Sequence, residues 1–144
     1  MRRRDIFWTI LAPAVASLAP GRARAANDAD APKVVYHLSD ADRADFVLGN
    51  IRNHYEGTGG KTTIALVVHG PALAAFRARS ASGLVANAFA GLQKHGLTAH
   101  ACANTMHGMD LSIADLLPGF VVAEKGGVVK LAELQREGYA YLRP

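Results

Sequence analysis

The feature that most constrains the fold is an uninterrupted apolar strand pattern. Residues 63–69 read Thr-Ile-Ala-Leu-Val-Val-His, so apolar side chains follow one another without alternating with polar ones. A strand that is apolar on both faces is typical of a parallel sheet covered by helices on both sides. The segment therefore predicts an inner strand of an α/β protein.

The segments around this strand alternate between strand and helix patterns. Further strands are predicted at residues 33–39, 97–104, 120–123 and 139–143. The clearest helix begins at Ser82, and another begins at Ser39, where Asp42 completes a pattern that resembles a capping box. Strands that alternate with helices form a mostly parallel sheet. We predict a three-layer α/β/α fold with an open, mostly parallel five-stranded sheet in a single domain of residues 33–144.

The first 25 residues have the three parts of an export signal. Arginines precede an apolar stretch, and residues 23–25 (Ala-Arg-Ala) give the small-x-small cleavage pattern. Residues 3–7 resemble the twin-arginine motif, and the alternative is an arginine-rich general secretory signal. We expect a signal peptide over residues 1–25, a polar lead-in over residues 26–32 and a mature protein in the periplasm.

The positive net charge of +4 belongs to that signal. Five of the 16 basic residues and one of the 12 acidic residues lie in the first 25, which leaves 11 of each in the other 119. The body of the chain therefore has no net field that attracts phosphates, and we expect no nucleic-acid partner. The apolar stretch of the signal is shorter than the roughly 20 residues of a membrane span, so no membrane association is expected after cleavage.

Three reactive side chains fall where predicted strands end. In an open parallel sheet, ligands bind outside the carboxyl ends of the strands. His37 lies near the end of the first strand, His69 ends the second, and Cys102 lies near the end of the third. The sequence therefore predicts a functional site at this edge of the sheet.

Cys102 is the only cysteine, which excludes an intramolecular disulfide and zinc sites built from several thiolates. Strand alternation places it on one face with His100 and Asn104. It can be a small buried core residue or a thiolate nucleophile with a lowered pKa, and the residues alone leave both interpretations open. For the second interpretation, His69 on the adjacent strand is the first candidate for a catalytic base.

Four further residues are candidates for substrate binding. The turn at Asn104 and Thr105 offers backbone N–H groups that could hold a sulfur anion or an oxyanion. His37 lies near another strand end, and His107 follows the cysteine loop. For each histidine the alternative is an ordinary hydrogen-bonded or solvated residue.

Three segments together resemble the DsrE family of small sulfur-relay proteins (DsrE/DsrF-like). They are residues 64–70, 101–106 and 129–141, and the resemblance covers about residues 33–144. It implies a five-stranded parallel sheet and a homo-oligomer, often a trimer or a hexamer. It also implies that Cys102 accepts sulfane sulfur as a persulfide and passes it to a small sulfur compound or to a partner thiol protein. No cofactor is expected, because the thiolate itself is the nucleophile.

Two other functions remain open from the sequence. A soft metal ion such as Cu(I) or Zn²⁺ could be held by Cys102 with His69, His37 or His107. Alternatively, the domain could be a non-catalytic oligomeric scaffold with an idle thiol. The sequence also leaves open whether a sulfur-handling protein of this kind is a sulfurtransferase enzyme or a carrier.

Overall fold

The structure, a computed structural model, describes residues 31–144. The predicted signal peptide over residues 1–25 and most of the predicted lead-in lie outside the described residues. Export and periplasmic location therefore stay predictions.

The described chain forms one sheet of five parallel strands. The strands are β1 (Lys33–Leu38), β2 (Thr63–Val68), β3 (Thr98–Cys102), β4 (Phe120–Ala123) and β5 (Ala140–Leu142). Their order across the sheet is β4-β3-β2-β1-β5, so β2 lies at the centre. The predicted fold class is confirmed, and the sheet is parallel throughout.

Four α-helices and three short 3-10 segments connect the strands. The helices are α1 (Ala44–Gly57), α2 (Gly83–Lys94), α3 (Ala103–Gly108) and α4 (Gly127–Arg136). The 3-10 segments are Ala41–Arg43, Gly70–Phe76 and Ile113–Asp115. The helix predicted to begin at Ser82 is α2, and Ser82 is its N-cap, since Ser82 Oγ accepts the Val85 N–H at 3.2 Å.

Two apolar cores cover the two faces of the sheet. The larger core joins alternate residues of the strands to α1, α2 and the Gly70–Phe76 segment. The smaller core packs Val35, Ala65 and Val67 against Leu131 and Leu134 of α4. Since β2 contributes to both cores, its unbroken apolar pattern is explained by burial on both sides.

Two predicted details differ in the structure. The third strand ends at Cys102, and Asn104 lies in α3, because the chain turns directly into a helix that buries Met106 in the larger core. The predicted capping box at Ser39 is wrong. The 3-10 segment after Asp40 has no side-chain cap, and the Ser39 hydroxyl instead accepts a hydrogen bond from Arg143 at 2.8 Å.

None of the helices within residues 31–144 has both the length and the apolar character needed to cross a membrane.

Candidate functional site

The registers of the strands bring three predicted site residues to one face of one edge. Val68 of β2 pairs with Ala101 of β3, so the next step along both strands sets His69 beside Cys102. His37 of β1 pairs with Val67, whose side chain packs under α4. Alternation therefore places His37, His69 and Cys102 on the face that α4 covers, at the carboxyl ends of their strands.

The Cys102 thiol is buried, with 6% of the residue exposed, in a cradle of hydrogen-bond donors. Burial by itself raises the pKa of the thiol. The Thr105 hydroxyl and the backbone N–H groups of Gly127, Thr105 and Asn104 act in the opposite direction, and the net pKa of Cys102 is lowered. The Cys102 side chain makes no helix-capping hydrogen bond. The four donor groups therefore act on the sulfur as neighbouring dipoles, and together they are called the donor cradle.

The Thr105 hydroxyl is oriented by its own partner. The Gly70 N–H donates to Thr105 Oγ1 at 2.8 Å, which occupies a lone pair and leaves the hydroxyl proton free for the Cys102 sulfur. Gly70 has a φ of 59°, a left-handed conformation that suits glycine. The loop after β2 therefore sets the direction of a donor that serves β3.

Two glycines let the start of α4 approach the thiol. A Cβ on Gly127 would lie 3.0 Å from the Cβ of His69 and 3.3 Å from the Cβ of Cys102. Gly126 has a φ of 98°, and a Cβ there would lie 2.8 Å from Nδ2 of Asn104. The absence of both side chains allows the first N–H of α4 to face the sulfur, where the positive end of the helix dipole favours an anion.

A row of hydrogen bonds continues from His69 across β1 to β5. Nε2 of His69 lies 2.6 Å from Nε2 of His37, and Nδ1 of His37 lies 2.6 Å from the Tyr141 hydroxyl. The two imidazole rings are nearly parallel, at 21°, and their centroids are 4.7 Å apart, which is the spacing of two rings joined edge to edge by a hydrogen bond. Because two facing Nε2 atoms need one proton between them, the pair excludes the form in which both rings are charged.

The histidines in this row are held neutral at neutral pH. Burial, followed by the charges of His69 and Arg143, lowers the pKa of His37 to about 4, against an opposing effect of Asp40. Burial and Arg143 also lower the pKa of His69. The edge therefore combines a stabilised sulfur anion with neutral imidazoles that can give or accept a proton.

Comparisons with known proteins identify the family of this chain. The sequence profile of the DsrE/DsrF-like family matches residues 16–144. The chain belongs to the DsrE/DsrF-like family. A comparison with curated proteins yields no match.

Two solved structures resemble this DsrE/DsrF-like chain. The protein of unknown function MTH1491 from Methanobacterium thermoautotrophicum is 27% identical, with a TM-score of 0.71, over 78% of this chain and 99% of that one. The ychN protein from E. coli shares the fold, at 14% identity and a TM-score of 0.61, over 78% of this chain and 98% of its own.

The site of this family member gathers most of the residues suggested by the sequence. Asn104 and Thr105 follow Cys102 directly in the turn and α3, and His69, which lies beside Cys102 in the adjacent strand, contacts His37. His107 is different: it is exposed at the end of α3 and makes no side-chain hydrogen bond within residues 31–144.

Sequence reasoning missed two parts of the site, Gly127 and Tyr141. The Gly126-Gly127 pair directly before a predicted helix was a usable signal for a close backbone approach. For Tyr141, nothing local to the fifth strand indicates that its hydroxyl meets a histidine of the first.

A metal-binding arrangement is not seen in the described part of the chain. No group of three or more His, Cys, Asp or Glu side chains within residues 31–144 is placed to hold a metal ion. The donors around Cys102 are N–H and O–H groups, which suit an anion and not a cation.

Proposed function

We propose that this protein binds or transfers sulfane sulfur as a persulfide on Cys102. The observation that carries the proposal is the cradle of donors that lowers the pKa of a buried thiol. Burial alone acts against the thiolate, whereas the Thr105 hydroxyl and three backbone N–H groups near the sulfur act in the opposite direction and favour an anion there. Membership of the DsrE/DsrF-like family supports the same chemistry, because the resemblance implies sulfur relay.

The reaction needs no cofactor. The Cys102 thiolate attacks the outer sulfur of a thiol persulfide, a new S–S bond forms, and the donor's S–S bond breaks to release its thiolate. The chain has no second cysteine, so the sulfur cannot leave through an intramolecular disulfide. It leaves to a small thiol or to the cysteine of a partner protein.

Mass spectrometry tests the proposal directly. Protein covering residues 26–144 is incubated with the persulfide of a small thiol and analysed intact without reductant. We expect one added sulfur atom on the wild type and none on a Cys102→Ser variant. An unmodified wild type, beside normal loading of a known persulfide carrier, would contradict the proposal and favour the non-catalytic scaffold.

The proposal includes export to the periplasm and assembly into a homo-oligomer, a trimer or a hexamer. The arginine-rich start and the small-x-small pattern support export. On the second face of the sheet α4 is the single covering helix within the described residues, and Val121 beside it is 60% exposed, which supports a subunit contact there. Cell fractionation tests export, and a cytoplasmic location would contradict it. Sedimentation equilibrium tests assembly, and a monomer would contradict it.

A further inference from the structure

A continuous hydrogen-bonded row leads from the protein surface to the side of the buried thiol. It starts at Tyr141 on the edge strand β5, which is 41% exposed, and passes through His37, which is 8% exposed, to His69. His69 and Cys102 are neighbours in adjacent strands, and both Cβ atoms lie close to Gly127. The row therefore connects the exposed sheet edge, through buried His37, to half-buried His69 beside the thiol.

The resting sulfur makes no use of this row. The groups that stabilise the Cys102 anion come from α3 and from the start of α4, on Asn104, Thr105 and Gly127. His69 lies next to Cys102 in the adjacent strand, and its Nε2 is engaged with His37, which leaves its Nδ1 without a partner in this row. An imidazole in that position is available to a second sulfur atom that arrives next to Cys102.

We propose that Tyr141, His37 and His69 form a proton relay that protonates the leaving thiolate when a small-thiol persulfide gives its outer sulfur to Cys102. This inference rests on the proposed function and adds its proton path. His69 is the residue that touches the substrate, and the other two are positioning residues that act through it.

The step balances in atoms and electrons. The Cys102 thiolate forms an S–S bond to the outer sulfur, and the donor's S–S bond breaks with its electron pair on the inner sulfur. His69 gives that sulfur a proton from Nδ1 and regains one at Nε2 from His37. His37 regains a proton at Nδ1 from the Tyr141 hydroxyl, which is refilled by water. Sulfane sulfur moves between two thiolates, so no oxidant or reductant is consumed.

The electrostatics of the row suit conduction of a proton. Its histidines are neutral at neutral pH, through burial and the nearby Arg143, with Asp40 as the opposing charge. A neutral imidazole has one donor and one acceptor nitrogen, which is what passage of a proton from ring to ring requires. A charged pair would instead hold its proton in place.

Removing the outermost hydroxyl tests the relay with little risk to folding. Tyr141→Phe is compared with Tyr139→Phe, the same chemical change two residues earlier on a ring that packs beside the smaller core. Persulfide loading is followed by quenched-flow mass spectrometry in H₂O and in D₂O, with an alkyl-thiol persulfide as donor. For Tyr141→Phe we expect loading about tenfold slower, without the solvent isotope effect of the wild type, but to the same final stoichiometry. Tyr139→Phe should behave as the wild type.

A second persulfide substrate distinguishes loss of proton delivery in Tyr141→Phe from a change in the structure of the site. The persulfide of an aromatic thiol releases a more acidic thiol, which departs without a proton. With this donor, Tyr141→Phe should load at the wild-type rate. Equal rates and isotope effects for both proteins with the alkyl donor would overturn the relay and leave the persulfide proposal standing. A wild type that loads with neither donor would overturn the proposed function, and the relay with it.

Discussion

The Thr105 hydroxyl is one of the groups that lower the pKa of Cys102. Its oxygen accepts the Gly70 N–H, which leaves the hydroxyl proton free to stabilise the Cys102 thiolate. A hydrogen bond to a charged acceptor contributes about 1.5–3 kcal/mol, or roughly one to two pKa units. Most of this contribution should disappear when the hydroxyl is replaced by a methyl group.

We therefore expect Thr105→Val to raise the pKa of Cys102 by roughly one unit. The measurement is the pH dependence of alkylation of the thiol by iodoacetamide. Thr62→Val is the matched control, because Thr62 precedes β2 at the opposite end of the sheet. A thiol pKa that is equal in Thr105→Val and in the wild type would remove the hydroxyl from the cradle.

Thr62 has a buried hydroxyl whose replacement should stabilise the protein. Its residue is buried and its Oγ1 has no hydrogen-bond partner within the described chain. A buried hydroxyl without a partner is destabilising, and valine has nearly the same shape. We expect Thr62→Val to raise the free energy of unfolding by about 1 kcal/mol in urea denaturation. A loss of stability would indicate that the hydroxyl has a partner after all.

Among the elements, α4 matters most to the site because its first residue lies against both Cys102 and His69. A Cβ at Gly127 would be 3.0 Å from the Cβ of His69, closer than side chains normally pack. Gly127→Ala should therefore push the start of α4 outward and weaken the N–H that faces the sulfur. We expect a loss of about 1–2 kcal/mol in unfolding free energy and a raised thiol pKa, from urea denaturation and alkylation rates.

Gly49→Ala is the control for this helix substitution. Gly49 lies inside α1, and a Cβ there would meet no other atom within 4 Å. Alanine is the better helix former by about 1 kcal/mol, so this variant should gain stability and keep the thiol pKa. If Gly127→Ala were as stable as Gly49→Ala, the close approach of α4 would not hold in solution.

At the scale of the whole molecule, the neutral histidine row makes folding depend on pH. An unfolded histidine has a pKa of about 6.5, whereas His37 in the folded protein has a pKa of about 4. Between these values the unfolded state binds more protons, so the free energy of unfolding decreases as the pH falls. The stabilising contribution of neutral His37 to the free energy of unfolding is complete above about pH 6.5 and is lost toward about pH 4.

We expect urea midpoints to fall more steeply over this range in the wild type than in His37→Gln. His69 and His100, whose pKa values are also lowered by burial, leave the variant with part of the slope. His95→Gln is the control, since His95 is exposed at the end of α2. Parallel curves for wild type and His37→Gln would mean that His37 is not held neutral.

Local patterns predicted the fold and the position of the thiol. The apolar run of β2 requires cover on both faces, and the end of β3 places Cys102 at the edge where parallel sheets bind ligands. The end of β3 was placed two residues too late, since alternation does not show where Asn104 leaves the strand. The register of β2 and β3 sets His69 beside Cys102, and the role of His69 as a catalytic base stays a prediction.

Local sequence was enough to predict the layers and the sheet, because the periodic burial of apolar side chains is a property of neighbouring residues. The candidate nucleophile was evident because Cys102 is the single cysteine. The tertiary structure alone decided what surrounds that sulfur. His37 and Tyr141 are 104 positions apart, and Gly127 meets Cys102 only after β4 has paired and α4 has folded back. Such contacts depend on register and helix docking between distant segments, which no local pattern encodes.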